Sequence, residues 1–252
     1  MKTMQLVDSP GHIVAMGGGG FSTEPDNPLL DDFILSLSPR QPARICFVPT
    51  ASADSAPYLV KFYRAFSGRA VPTDLTLFDP PTLPRRPAKT SELSTFVAEQ
   101  DIIYVGGGNT ANLLAMWRVH GLDQILHDAW RRGAILCGVS AGMICWFRGG
   151  VTDSFGGLER LADGLGLIDA TACPHYDGEE QRRPTFHRLI REGVQSGYAA
   201  DDAAALHFRG SELIGVVTSR ENAAAYRVEL VNGQVVENRL EARFLGGSLE
   251  PE

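Results

Sequence analysis

The sequence predicts an α/β protein: a doubly wound, mostly parallel sheet with helices on both faces and an antiparallel portion at the C-terminal end. Three observations lead there. Over the first 150 residues, four or five short apolar runs alternate with amphipathic stretches, the strand-helix-strand order of a parallel sheet. These runs end in loops of small or polar residues (Gly17 to Gly20, Thr50 to Asp54, Gly106 to Thr110, and the turn at Ser140), which in such a sheet leave from the edge that carries the site. From Ala203 onward, short strand patterns follow one another without helices, and Asn232-Gly233 is a hairpin turn signal.

Taken in order, His12 to Met16 reads as the first strand and Gly17 to Gly20 as a tight turn after it. A phosphate cradle at that turn is disfavoured, because neither G-x-x-x-x-G-K-[ST] nor a well-placed ribose-binding acid follows. Pro28 to Leu37 has helical spacing, with Leu29, Leu30, Phe33, Ile34 and Leu37 near one face. Arg44 to Thr50 is a continuous apolar strand of the kind buried on both faces, and Ala51 to Ala56 is a small polar loop. Tyr58 to Phe66 reads as a helix, Val71 to Phe78 as a strand, and Asp79 to Lys89, with four prolines, as a connector.

Ser91 to Ala98 is a short helix leading into the strand Asp101 to Val105. Three glycines follow, and Asn109 or Thr110 caps the helix Ala111 to Val119. Leu122 to Arg132 is a further helix, Ala134 to Cys137 the next strand, and the apolar run after Gly142 reads as helical. Beyond it, Gly149 to Gly157 holds Asp153 among Gly, Thr and Ser, and Leu158 to Ile168 is a Gly-interrupted loop. Ala170 to Cys173 is a short strand running into Pro174-His175-Tyr176, and Gln181 to Val194 is a polar helix. Ala205 to Phe208, Leu213 to Thr218, Ala224 to Leu230 and Val235 to Glu237 are the closing strands.

With 44% hydrophobic residues and neither linker nor repeat, residues 1–252 read as a single domain. The net charge of −7, from 30 acidic and 23 basic residues, argues against a nucleic-acid backbone or an acidic membrane surface as partner. Cys46, Cys137, Cys145 and Cys173 lie in or beside apolar runs without the paired spacing of a zinc site, so they read as reduced core residues and no metal or cofactor is expected. Met1 to Pro10 lacks the pattern of a signal peptide, and Ala134 to Phe147 is too short and too Gly-rich to span a bilayer. A cytoplasmic protein, as a monomer or a homo-oligomer, is the expectation.

The chemistry centres on Gly138-Val139-Ser140-Ala141-Gly142. A strand, this G-x-S-x-G turn and a helix form the order of a nucleophile elbow, in which a sharp turn exposes the serine hydroxyl. Ala141 N–H then points toward an oxyanion. Serine needs a base, itself oriented by a third group. His12 lies at the wrong end of its strand, and His120, His127 and His187 lie on or beside helices. His175, between a short strand and an acidic loop, is the candidate base, with His207 its rival. The orienting carboxylate stays open among Asp153, Asp177 and Glu179, while Arg182 and Arg183 either balance the acidic loop or bind a substrate carboxylate.

Val105-Gly106-Gly107-Gly108-Asn109-Thr110, the elbow, and Pro174-His175-Tyr176, in this order and spacing, resemble peptidase family S51, which holds peptidase E and the cyanophycinase relatives. The resemblance runs from about Ile45 to Ile190 and implies the fold of class I glutamine amidotransferases, with serine in place of the amidotransferase cysteine. It implies hydrolysis of dipeptides with an N-terminal aspartate. Carried over by position, Ser140 is the nucleophile, His175 the general base and Asp153 the acid, with Glu179 in reserve because the loop after His175 departs from the enteric peptidase E pattern. The oxyanion hole is Ala141 N–H with Gly107 or Gly108 N–H, and Asn109, Thr110, Arg182 and Arg183 are substrate-binding candidates. The other readings are a cyanophycinase-like or isoaspartyl peptidase, an esterase using His207, and a non-catalytic small-ligand-binding protein on the same fold.

Overall fold

The computed structural model of the chain describes residues 10–78 and 90–247; the connector expected over Asp79 to Lys89 and the first nine residues lie outside them. In chain order the elements are β1 (His12–Met16), α1 (Gly20–Thr23), α2 (Leu29–Ser36), β2 (Arg44–Val48), α3 (Ala56–Phe66), β3 (Val71–Asp74), α4 (Thr90–Ala98) and β4 (Ile102–Val105). Then come α5 (Thr110–His120), α6 (Leu122–Arg131), β5 (Ile135–Val139), α7 (Ala141–Ile144), β6 (Phe147–Thr152), β7 (Glu159–Leu161) and β8 (Ile168–Cys173). The chain continues with α8 (Arg182–Arg191), β9 (Gly197–Ala200), β10 (Ala204–Arg209), β11 (Glu212–Thr218), β12 (Ala225–Val231), β13 (Gln234–Arg239) and β14 (Arg243–Phe244).

Eight strands form the first sheet, in the order β14-β11-β10-β1-β5-β4-β2-β3. The five strands from β1 to β3 in that order run parallel, and β10 lies antiparallel to β1. Both faces are covered, because successive side chains of a strand point to opposite sides. Ile13 and Ala15 enter one apolar cluster and Val14 and Met16 the other, as do Cys46 and Val48 against Ile45 and Phe47. This is why the strands read as unbroken apolar runs. The second cluster contains an aromatic group in which Phe47 stacks on Phe62 with centroids 4.9 Å apart and Phe21 stands edge-on to Tyr104 at 5.0 Å.

The register aligns the strand ends. Met16 faces Val139, Val105 faces Gly138, and Val48 faces Val105, so the loops after β1, β2, β4 and β5 leave side by side. The C-terminal strands pair antiparallel as expected, β10 with β11 and β12 with β13, but they do not all lie in one sheet. Six strands form a second sheet, β13-β12-β9-β8-β6-β7, in which β6, β8 and β9 are parallel. The apolar run after Gly142 gives only one helical turn before β6, and the stretch read as a loop holds β7. The strand β9, unrecognised in the sequence, pairs Ala199 with Cys173 of β8, so the segments after β8 and β9 also leave together.

Candidate active site

Ser140 sits at φ 58°, ψ −109°, between β5 and the turn of α7. A non-glycine residue held there carries about 1–3 kcal/mol of backbone strain, which the surroundings must offset. Close packing on both sides does so. A Cβ added to Gly138 would lie 2.5 Å from Gly142 O, and one on Gly142 would lie 2.2 Å from Val105 O, so strand end, helix start and β4 touch backbone to backbone. Ser140 N–H donates to Met16 O at 3.1 Å, while Met143 N–H and Ile144 N–H donate to Ser140 O. Ala141 N–H, in the first turn, lacks an intrahelical acceptor, as the first four N–H groups of any helix do.

His175 follows β8 with φ 51°, and its Nδ1 lies 2.6 Å from Asp202 Oδ1, in the segment after β9. The His175 hydrogen bond is the main cause holding the Asp202 carboxyl below its ordinary value, against the opposing effect of burial. Two glycines make room for that carboxylate: a Cβ on Gly18 would lie 2.0 Å from Asp202 Oδ1, and one on Gly178 2.5 Å from Oδ2. Asp177 Oδ1 accepts Asp202 N–H at 2.8 Å. The dyad thus rests against Gly18, two residues beyond the carbonyl that holds Ser140 N–H. Ser140 Oγ and His175 make no direct hydrogen bond; pairs of this kind often close only around substrate.

The carboxylate at His175 is therefore Asp202 and neither Asp153 nor Glu179. Glu179 is turned away to Arg182, whose Nε lies 2.6 Å from Glu179 Oε2. Asp153 is exposed, on a loop fixed by Asn109 Nδ2 donating to Ser154 O at 3.0 Å and Ala111 N–H donating to Ser154 Oγ at 3.2 Å. The sequence signal for Asp202 was thin: two aspartates after Tyr198-Ala199-Ala200, a strand too short and too small to stand out.

The other expected site residues divide. Gly107 lies over the elbow, where an added Cβ would be 3.5 Å from Ser140 Cβ, but its N–H donates to the Tyr58 hydroxyl at 3.2 Å. Asn109 is the N-cap of α5, accepting from Asn112 N–H at 2.9 Å, and Thr110 is 1% exposed, so both hold the loop in shape. Arg182 is buried, with Nη1 donating to Val151 O at 2.8 Å. Arg183 keeps 44% of its side-chain surface, stacked over the Tyr176 ring at 4.6 Å and 3.6 Å from Glu237. His207 lies in β10 opposite Val14 and bonds His12, towards the other end of β1 from Ser140. All four cysteines are free and buried; burial pushes the thiols of Cys137 and Cys145, which flank the elbow, well up, so neither is a thiolate nucleophile.

Solved structures share this architecture. A peptidase from an acI-B1 Actinobacterium superposes with a TM-score of 0.66 at 18% identity, covering 96% of this chain and 97% of that one. A Listeria monocytogenes EGD-e protein named for peptidase E gives 0.59 at 20% identity, covering 92% and 100%. In sequence, the chain is 52% identical over 236 residues to the uncharacterized peptidase YgaJ of Bacillus subtilis (strain 168), covering 93% of this chain and 99% of the relative. The protein is a peptidase on an α/β fold. The pattern of peptidase family S51 matches residues 13–216, and the chain belongs to that family.

Proposed function

We propose that the protein is a serine peptidase that hydrolyses dipeptides with an N-terminal aspartate through an acyl-enzyme at Ser140. The observation that carries this reading is the strained serine turn on the same edge as a histidine held by a carboxylate, His175 Nδ1 to Asp202 Oδ1 at 2.6 Å. With Nδ1–H donating to Asp202, His175 Nε2 keeps its lone pair. It takes the Ser140 proton as Oγ adds to the scissile carbonyl, and the Asp202 carboxylate stabilises the imidazolium that forms. The proton then goes to the leaving amine, and water, activated the same way, releases aspartate from Ser140.

Ala141 N–H is one donor to the developing oxyanion. Because the Tyr58 hydroxyl already takes Gly107 N–H, Gly108 N–H is the donor from the glycine loop. Removing one such donor costs on the order of 3 kcal/mol of transition-state stabilisation. Exposed Asp153, on the loop docked against Asn109 and Ala111, is suited to the substrate ammonium, and Arg183 is the better exposed cation for its side-chain carboxylate. Four buried free thiols fit the cytoplasm, where we place the protein.

Incubation with Asp-Leu, Ala-Leu and beta-Asp-Leu tests the proposal: Asp-Leu alone is cleaved, and Ser140→Ala removes turnover by on the order of 10⁴-fold or more without unfolding the chain. Equal cleavage of Asp-Leu and Ala-Leu, or none, removes the aspartyl assignment, and preference for the beta-linked peptide moves the protein to an isoaspartyl or cyanophycin-type activity.

A further inference from the structure

We propose that Tyr58 is a positioning residue of the oxyanion hole: its ring and hydroxyl lock the Gly106–Gly108 loop so that Gly108 N–H, and not Gly107 N–H, faces the carbonyl oxygen at Ser140. The inference rests on Ser140 being the nucleophile and adds a residue from α3, a helix outside every motif in the chain.

Three contacts of Tyr58 define its side of the lock. The loop is pressed onto the aromatic stack, since a Cβ at Gly106 would lie 2.9 Å from Tyr58 Cε1 and 3.0 Å from Phe47 Cζ; only a glycine allows this approach. The Tyr58 hydroxyl then accepts Gly107 N–H at 3.2 Å, fixing the peptide plane between Gly106 and Gly107. The same hydroxyl shares a 2.5 Å hydrogen bond with Ser22 Oγ in α1, the turn that directly follows the first glycine loop. Tyr58 thus ties together the loops after β1 and β4, which flank Ser140 on either side. From the far side, Gly108, at φ 136°, is packed so closely against Ala51 that a Cβ there would lie 2.2 Å from Ala51 O. The loop is clamped between Tyr58 and Ala51, and its plane is set before substrate arrives.

Such clamping is what transition-state stabilisation by backbone donors requires, because a donor that must reorient as charge develops loses most of its advantage. A phenol is suited to the task. Its rigid ring fills the space beneath Gly106, and its hydroxyl oxygen accepts one hydrogen bond while leaving the O–H free to donate another. Tyr58→Phe keeps the ring and deletes the acceptor, so the Gly107 peptide loses its anchor while the packing stays.

The test is the second-order rate at which an alkyl fluorophosphonate labels Ser140, with kcat and KM on Asp-Leu and a thermal melt for each variant. Tyr58→Phe lowers the labelling rate and kcat together by about 10- to 100-fold, below the 10²–10³ of losing a donor outright, and leaves KM nearly unchanged. Ser22→Ala gives a smaller loss in the same direction. Tyr63→Phe, which removes a hydroxyl from the same helix where it donates to Asp74 Oδ1 at 2.5 Å, leaves labelling at the wild-type rate. Labelling of Tyr58→Phe at the wild-type rate or faster, or an equal loss in Tyr63→Phe, overturns the proposal while leaving Ser140 as nucleophile. A folded wild type that the probe does not label overturns the serine reading itself, and this proposal with it.

Discussion

Two histidine pairs lie towards opposite ends of β1, and they differ in the kind of partner each imidazole has. Beyond Met16, His175 pairs with a carboxylate, Asp202, at 2.6 Å. At the start of the strand, His12 Nδ1 pairs with His207 Nε2 at 2.8 Å. The distances are alike and the electrostatics are opposed. A carboxylate stabilises the imidazolium that general-base catalysis creates. A second imidazole does not, and His207, packed edge-on against Phe33, also faces the charge of Arg243. Burial first, then His12 and Arg243, push His207 down to about 4; burial and Arg209 lower His12. His207 is thus a neutral core residue, although by sequence it was the rival base.

The sharpest way to break the contrast is to take the carboxylate from the first pair. Asp202→Asn leaves the shape intact and lowers kcat on Asp-Leu by on the order of 10²–10⁴-fold, because the amide cannot hold the imidazolium. Asp153→Asn, measured alongside, raises KM more than it lowers kcat. If Asp153→Asn shows the larger kcat loss, Asp202 is not the orienting acid.

A smaller effect comes from crowding the dyad without touching its chemistry. Gly18→Ala puts a methyl group where Asp202 Oδ1 lies, and the strain costs about 1–3 kcal/mol of stability together with part of kcat. Denaturant unfolding and kinetics on one preparation read both. Unchanged values for both would mean that the Gly18 contact does not hold the carboxylate.

The smallest effect concerns the other pair and appears as pH-dependent stability. A His207 pKa lowered from 6.5 to about 4 means that the unfolded chain binds a proton between those values and the folded chain does not. The neutral pair's contribution is complete above about 6.5 and is lost as pH falls toward 4, on the order of 1–2 kcal/mol after allowance for partial solvent access. Thermal melts at pH 7 and pH 4.5 therefore differ less for His207→Gln than for wild type. Equal pH dependence in the two proteins would remove His207 as the source.

No described helix is long and apolar enough to cross a membrane. Much of the fold was legible in sequence, for local reasons. The elbow could be read because a sharp strand-to-helix turn admits few residues, and Gly138 and Gly142 stand where backbone meets backbone. The parallel strands could be read because burial on both faces leaves unbroken apolar runs such as Ile45 to Val48. The second sheet was less legible: β9 is four residues of Gly, Tyr and Ala, and β7 only three, so their strand character comes from pairing and not from composition.

By itself, the sequence determined that a serine sits on a sharp turn at the edge of a parallel sheet, with His175 after another strand, because both statements depend only on residues a few positions apart. Tertiary structure alone decided which groups those two residues meet. Asp202 reaches His175 because Ala199 pairs with Cys173 across β9 and β8, and Tyr58 reaches Gly107 because α3 packs on the aromatic face of the first sheet. Contacts of this kind are set by strand register and packing, which a single chain does not carry as a local pattern.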